Sequence, residues 1–298
     1  MGDARLLACD WGTTNLRAWT LDGQGVVVAQ KDFPFGVSRL APGEAAERFE
    51  ADVRPGLRAE RLPAILCGMV GSNLGWTAVP YADCSAGLPE LAGKLTEVSP
   101  GVRIVPGLRC AGLAGSPDVM RGEETQILGW LAQHPGRRAG RHLLCHPGTH
   151  AKWALIEDGL VVRFVTAMTG ELFAVLGQHS VLKSDAPATD EAAFDEGVVA
   201  AGDGDALAAR LFTVRARVVG GGARPESSPS YLSGLLIGAE VASVPRLLGE
   251  LGRDVVLVGD AALCSRYRRA LGRLGVAVEV FDGEAAAVAG LFALGAPP

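Results

Sequence analysis

The stretch Asp10-Trp11-Gly12-Thr13-Thr14-Asn15-Leu16-Arg17 decides the fold, because much of it and of its surroundings returns later in the chain. Leu7, Cys9, Gly12, Thr13, Ala18, Asp22, Gly23 and Val26 reappear without a gap 136 residues on, as Leu143, Cys145, Gly148, Thr149, Ala154, Asp158, Gly159 and Val162. Short apolar runs at residues 6–10, 16–21 and 25–31 are separated by Gly-Thr-Thr and Asp-Gly, which are turn signals, so each copy reads as a three-strand meander. A period of half the chain is far longer than the roughly 20 to 50 residues of a solenoid. It marks a duplicated domain.

Outward from the first copy, the pattern predicts a helix over residues 44–60, a buried strand at 64–67, a helix after Pro89 and a strand at 102–105. After the second copy it predicts a strand at 160–165, a helix from Glu171, a strand at 255–258, a helix through Leu274, a strand at 276–280 and a last Ala-rich helix. A helical insertion over about residues 191–251 interrupts this half, with loop at Gly220-Gly221-Gly222 and at residues 225–230. The Gly/Pro/Ser-rich residues 112–117 suggest domains at 1–114 and 115–298. Two such α/β domains would leave a cleft with the two Gly-Thr turns facing it.

With 298 residues, 48% apolar and 20% charged, the chain has the makeup of a packed protein, not of a disordered or fibrous one. The net charge of −5 and scattered Lys and Arg leave no footprint for nucleic acid. No apolar run approaches the ~18 residues of a membrane span, and residues 6–9 are too short for a signal peptide. The six cysteines are far apart, as reduced thiols of a cytoplasmic protein would be. Self-association into a homo-oligomer stays open.

A tight Gly-Thr turn lets backbone amides and hydroxyls approach an anion. In the first copy the turn follows Asp10, a strand-end carboxylate suited to Mg²⁺ or its waters, and precedes the cation Arg17. A plain hairpin with a self-capping Asp is the alternative. Arg17, Lys152 and His150 are candidate phosphate contacts, against solvated strand ends. His146 stands where the repeat would place a second Asp10. Glu123 and Glu124 follow a break at Gly122 and open a helix, where the dipole favours a carboxylate; ordinary first-turn enrichment is the competing explanation. Ser72, Asn73 and Trp76 follow a buried strand and offer hydroxyl, amide and stacking groups for a polyol. His142, Cys145, His146 and His150 lack the paired spacing of a zinc site. Gly93-Lys94-Leu95 is no Walker motif, and no G-x-G-x-x-G follows a strand.

Asp10-x-Gly-Thr-Thr-x-x-Arg17 resembles the first phosphate loop of the actin-like ATPase superfamily, and the chain is most similar there to the glycerol kinase and xylulokinase group. Residues 64–73 resemble the strand and loop that reach the sugar, Arg121-Gly122-Glu123-Glu124-Thr125-Gln126 the Gly-Asp-Gln helix start with the catalytic base, and Pro147-Gly148-Thr149-His150 the second phosphate loop. Together with Met168-Thr-Gly-Glu-Leu-Phe173 and Ser233-Gly-Leu-Leu-Ile-Gly-Ala-Glu240, these stretches resemble the 2-dehydro-3-deoxygalactonokinase family over nearly the whole chain.

The resemblance implies two actin-like (ribonuclease H-like) domains around a central cleft, each a five-stranded mixed sheet with flanking helices. It implies transfer of the γ-phosphate of Mg-ATP to the 6-hydroxyl of 2-dehydro-3-deoxy-D-galactonate, in galactonate catabolism. Asp10 would hold the metal; Gly12, Thr13, Thr14, Asn15, Arg17, Gly148, Thr149, His150 and Lys152 the phosphates; Gly259 and Asp260 the adenosine. Glu123 would be the base, with Glu124 as runner-up. Ser72, Asn73, Trp76 and Arg121 would meet the acceptor, whose carboxylate could also be met by Arg17 or Arg39. Another sugar or polyol kinase, or a non-catalytic ATP-dependent switch, are the competing functions.

Overall fold

In the computed structural model, residues 3–250 and 253–295 are described. They form two compact units. The first gathers residues up to Arg141 with Ile156–Arg163 and the chain from Asp282 on; the second holds His142–Leu155 and Phe164–Phe281. The division therefore falls later than residues 114/115, and the last helix returns to the first unit. The Gly/Pro/Ser-rich stretch at 112–117 is the turn of a hairpin in that unit.

The first unit is built on β1 (Leu6–Trp11), β2 (Leu16–Leu21), β3 (Val27–Phe33) and β4 (Ala64–Gly68), a two-residue β5 (Ala82–Asp83), β6 (Thr96–Ser99), β7 (Val102–Ile104), β8 (Leu108–Ala111) and β9 (Pro117–Met120). Its main sheet runs β3-β2-β1-β4-β7-β6, with the meander antiparallel and β4 and β7 parallel to β1 and to each other. Six strands replace the expected five, because the weakly apolar Thr96–Ser99 pairs antiparallel with β7 at the edge. A small sheet β5-β8-β9, also missed by the sequence reading, leads into α1 (Glu123–Gln133).

The second unit's sheet, β12-β11-β10-β13-β14, comprises β10 (Arg141–His146), β11 (Ala151–Glu157), β12 (Leu160–Ala167), β13 (Val255–Gly259) and β14 (Val278–Asp282). Meander plus two further strands repeats the order of the first sheet, as a duplication requires. Both sheets have apolar runs buried on two faces at their central strands, Ala64–Gly68 and Val255–Gly259. The principal helices here are α2 (Thr169–His179), α3 (Glu191–Ala201), α4 (Ser228–Leu247) and α5 (Ala261–Arg273); α6 (Gly283–Gly295) packs on α1 in the first unit. Residues 228–230, expected as loop, open α4 instead. Pro229 is tolerated in the first turn, where its missing amide has no partner to lose. Leu251, the expected end of the insertion, lies outside the described residues.

Candidate functional site

Asp10 is the penultimate residue of β1, opposite Arg17 on β2 and Cys67 on β4. The Arg17 Nη2 donates to Asp10 Oδ2 at 2.7 Å, and Nη1 lies 3.7 Å from Glu284 on α6. Asp10, Gly12, Asn15, Arg17, Asp32, Phe33 and Pro34 line a cavity of about 560 Å³. Asp32 was not singled out from the sequence; the period-2 register that sets it opposite Arg17 was the available signal.

The carbonyls of the first Gly-Thr turn are all engaged from one side. Val37 N donates to Gly12 O at 3.1 Å, Ser38 N to Thr13 O at 3.0 Å and Gly36 N to Thr14 O at 2.7 Å. Thr13, Thr14 and Asn15 are exposed. A turn whose carbonyls are committed inward has the polarity an anion cradle needs. Residues 36–38 carried no sequence signal for this role.

The end of β4 meets the start of α1 at two glycines. A Cβ on Gly68 would lie 2.8 Å from Trp11 O and 3.2 Å from Asp10 Oδ1; one on Gly122 would lie 3.3 Å from Gly68 Cα. Both have positive φ, 87° and 113°. Only residues without a Cβ bring the helix start this close to the strand that ends beside Asp10. The two glutamates then fold back over that start: Arg121 N donates to Glu123 Oε2 at 3.1 Å and Gly122 N to Glu124 Oε2 at 2.6 Å. Both thus serve as helix-start acceptors, but they differ in access. Glu124 is fully buried and also accepts from Thr125 Oγ1. Burial, then the neighbouring charge of Glu123, push its carboxyl up to about 8. Glu123 is half-buried.

Among the proposed acceptor contacts, Ser72 Oγ is spent on its own turn, donating to Met69 O at 2.7 Å. Asn73 is exposed, and Trp76 packs on Phe49 at 5.5 Å between ring centroids. Arg121 spreads its guanidinium 4.3 Å over the Tyr81 ring and donates from Nη2 to Val79 O at 2.7 Å. Its Nε and Nη1 are buried and have no hydrogen-bond partner among the described residues. Arg39 is exposed and donates to Pro34 O.

In the second unit, the turn Gly148-Thr149 rests on α2: Glu171 N donates to Thr149 O at 3.0 Å, and His150 pairs with Glu171. Lys152 is not a solvated strand end. It is buried on β11 and donates to Thr166 Oγ1 at 2.9 Å. Asp260 caps α5 by accepting from Leu263 N. Beside the turn, a cavity of about 270 Å³ is lined by Thr169, Phe173, Leu236, Ile237, Leu263 and Arg266 among others. Arg266 is fixed there by Ser233 Oγ at 3.0 Å and Ala188 O at 2.8 Å. Beneath it, Glu240 is buried and accepts from Trp153 Nε1 at 2.6 Å and Tyr267 OH at 2.8 Å. Ser233 and Glu240 belong to a stretch that resembles the family, but no local pattern around either points to these roles.

The family model for 2-keto-3-deoxy-galactonokinase matches residues 10–294. Over 290 residues the chain is 37% identical to 2-dehydro-3-deoxygalactonokinase of Escherichia coli (strain K12), which covers 97% of this chain and 96% of that protein. A crystal structure from Sinorhizobium meliloti, described as a candidate 2-dehydro-3-deoxygalactonokinase, matches with a TM-score of 0.86 at 37% identity over 97% of both chains. The activator of the 2-hydroxyisocaproyl-CoA dehydratase from Clostridium difficile, solved with bound ADPNP, shares the fold at a TM-score of 0.51 and 14% identity, over 97% of this chain and 94% of that one. A match that runs through both Gly-Thr turns and the α1 glutamates, at this identity and coverage, makes the chain a member of the 2-keto-3-deoxy-galactonokinase family, a carbohydrate kinase on an actin-like α/β fold.

Proposed function

We propose that the chain transfers the γ-phosphate of Mg-ATP to the 6-hydroxyl of 2-dehydro-3-deoxy-D-galactonate. The observation that carries this reading is the contact of Gly68 with Gly122, which sets the half-buried carboxylate of Glu123 at a helix start packed against the strand end beside Asp10. Phosphoryl transfer asks a protein for phosphate grips, charge neutralisation and one base for the acceptor hydroxyl.

Glu123 is the base in this proposal. Glu124, buried and held by Gly122 N and Thr125 Oγ1, cannot turn outward without abandoning both bonds. Its role is to hold the helix start. Asp10 fits a magnesium ion, since Mg²⁺ is held by one or two carboxylates together with substrate phosphates and waters. When bound, the ion neutralises charge on the phosphates. Arg17 balances Asp10 in the structure described and would pass to a phosphate oxygen when nucleotide arrives. The turns at Gly12-Thr13-Thr14 and Gly148-Thr149 are the phosphate grips.

The cavity beside Gly148-Thr149 is assigned to the nucleoside, with Phe173, Leu236, Ile237 and Leu263 as apolar walls. Gly259 stays in this proposal as backbone beside Pro147, whereas Asp260 is left with its capping role and Lys152 with its internal one. Of the three arginines considered for the acceptor's carboxylate, Arg121 is preferred. Arg17 is engaged with two carboxylates and Arg39 with a carbonyl, while the Nε and Nη1 of Arg121 have donors to spare.

A coupled ADP-release assay across 2-keto-3-deoxy acids, glycerol and pentuloses tests the substrate. Turnover confined to acceptors lacking a carboxylate would refute it. Glu123→Gln should lower kcat by about 10²–10⁴-fold with ATP binding retained; a non-catalytic switch would be indifferent to that change.

A further inference from the structure

Four of the six cysteines are buried, whereas Cys84 and Cys110 are half-buried. They stand one step beyond the register pair Asp83 and Arg109 on the parallel strands β5 and β8. Cys84 N donates to Arg109 O at 2.9 Å, so the ladder holds up to that step, and the two thiols are hydrogen-bonded. Strands lie about 4.8 Å apart in a ladder, and a disulfide bridges Cα atoms about 4.4–6.8 Å apart. The bond to Cys110, then burial, push the Cys84 thiol well above its ordinary value. Both cysteines are free thiols, and joining them requires a co-reactant that takes two electrons.

The strands that carry the pair also carry the acceptor's arginine. Tyr81, on which Arg121 stacks, lies just before β5, and β9, paired with β8, runs directly into Arg121. The covered Nε and Nη1 of Arg121 can reach a carboxylate only if this shelf shifts.

We propose that Cys84 and Cys110 are a modification site, at which exchange with a small disulfide of the glutathione type forms an intramolecular disulfide that stiffens the shelf carrying Tyr81 and Arg121. One cysteine thiolate attacks the small disulfide, forming a mixed disulfide and releasing one small thiol. The second cysteine attacks the protein sulfur of that mixed disulfide and releases the other. The protein thiols lose two electrons, the small disulfide gains them, and the two protons end on the released thiols. The effect on acceptor binding rests on the role proposed for Arg121; the chemistry of the pair does not.

The test is incubation with oxidised glutathione, alkylation, and peptide mapping without reductant, alongside steady-state kinetics. The expected result is a Cys84–Cys110 linked peptide and an acceptor KM raised by about fivefold or more, as loss of one charge-assisted hydrogen bond would raise it, with the ATP KM unchanged. Dithiothreitol should reverse both, and Cys84→Ser and Cys110→Ser should each be insensitive to oxidant. A stable mixed disulfide, or linkage to any other cysteine, overturns the site. A linked peptide with unchanged acceptor KM overturns the stiffening, and Arg121→Met distinguishes the cause: if that variant loses acceptor affinity, the clamp is wrong; if it does not, the reading of Arg121 has failed as well.

Discussion

Glu240 offers a stability measurement whose sign and size follow from its surroundings. It lies inside α4 at 4% exposure, with Trp153 Nε1 and Tyr267 OH donating to its two oxygens. Burial outweighs these bonds and pushes the carboxyl from its ordinary 4.5 up to about 7. A carboxyl whose native value is raised binds more protons in the folded than in the unfolded chain between those two values. Its contribution is present in full below pH 4.5 and is lost as pH climbs through 7. Integrated between pH 5.5 and 8.0, the loss is about 2 kcal/mol. Glu240→Gln keeps an acceptor for Trp153 and cannot ionise, so the variant should gain about 2 kcal/mol on wild type across that interval. Because two compact units need not unfold together, urea titrations read by hydrogen exchange in peptides of α4 are the appropriate assay. A difference between variant and wild type that stays flat with pH, or that slopes toward wild type, would refute the argument.

Other perturbations address single features. A Cβ at Gly170 would lie 2.5 Å from Gly148 O and 2.7 Å from Thr149 Cα, so Gly170→Ala must displace the second turn; the ATP KM should rise by about tenfold, equivalent to an overpacking strain of ~1.4 kcal/mol, with the acceptor KM unaltered. Asp10→Asn should weaken ATP binding by about tenfold or more in the presence of Mg²⁺ and hardly at all in its absence, measured by calorimetry. Arg54 is buried at 5% exposure with Nη1 donating to Ala59 O and Leu62 O, so Arg54→Met strands Leu62 O, leaves Ala59 O only its bond from Leu62 N, and should destabilise the first unit by about 1–3 kcal/mol in urea unfolding.

What could be read from the sequence was whatever depends on local pattern. The repeat gave both meanders and the shared strand order, since period-2 alternation and Gly-Thr or Asp-Gly turns are written in consecutive residues. Strands β5, β6, β8 and β9 escaped because they are two to four residues long, polar on one side and defined by partners far along the chain. The interrupted helix over residues 44–56 was expected as one run to residue 60; it contains a π turn at Phe49–Val53 that no propensity reveals. At the candidate site, Asp10, the turns and the two glutamates stand out by motif. Which glutamate is accessible does not, because burial of Glu124 depends on packing at the helix start. Lys152 is a candidate phosphate contact by its place after the second turn and Asp260 an adenosine contact by resemblance; their partners, Thr166 and Leu263 N, are set by strand and cap geometry.

The two halves keep one backbone and diverge in charge. Asp10 pairs in register with Cys67 on β4, one step after Cys9 with Leu66; His146 stands one step after Cys145, which pairs with Leu257 on β13. The glycine at the next step, Gly68 in one half and Gly259 in the other, has positive φ in both. The strand end was therefore duplicated with its turn glycine, while the residue at the position of Asp10 became His146. A second acid at position 146 would set negative charge at the head of the Gly148-Thr149 turn proposed above as a phosphate grip, whereas a neutral imidazole does not. On this argument His146→Asp would retain the fold, since the position is half-buried at a strand end, and would weaken ATP binding through repulsion that rising salt relieves. Binding lost equally at low and high ionic strength would show that His146 acts by shape or hydrogen bonding instead.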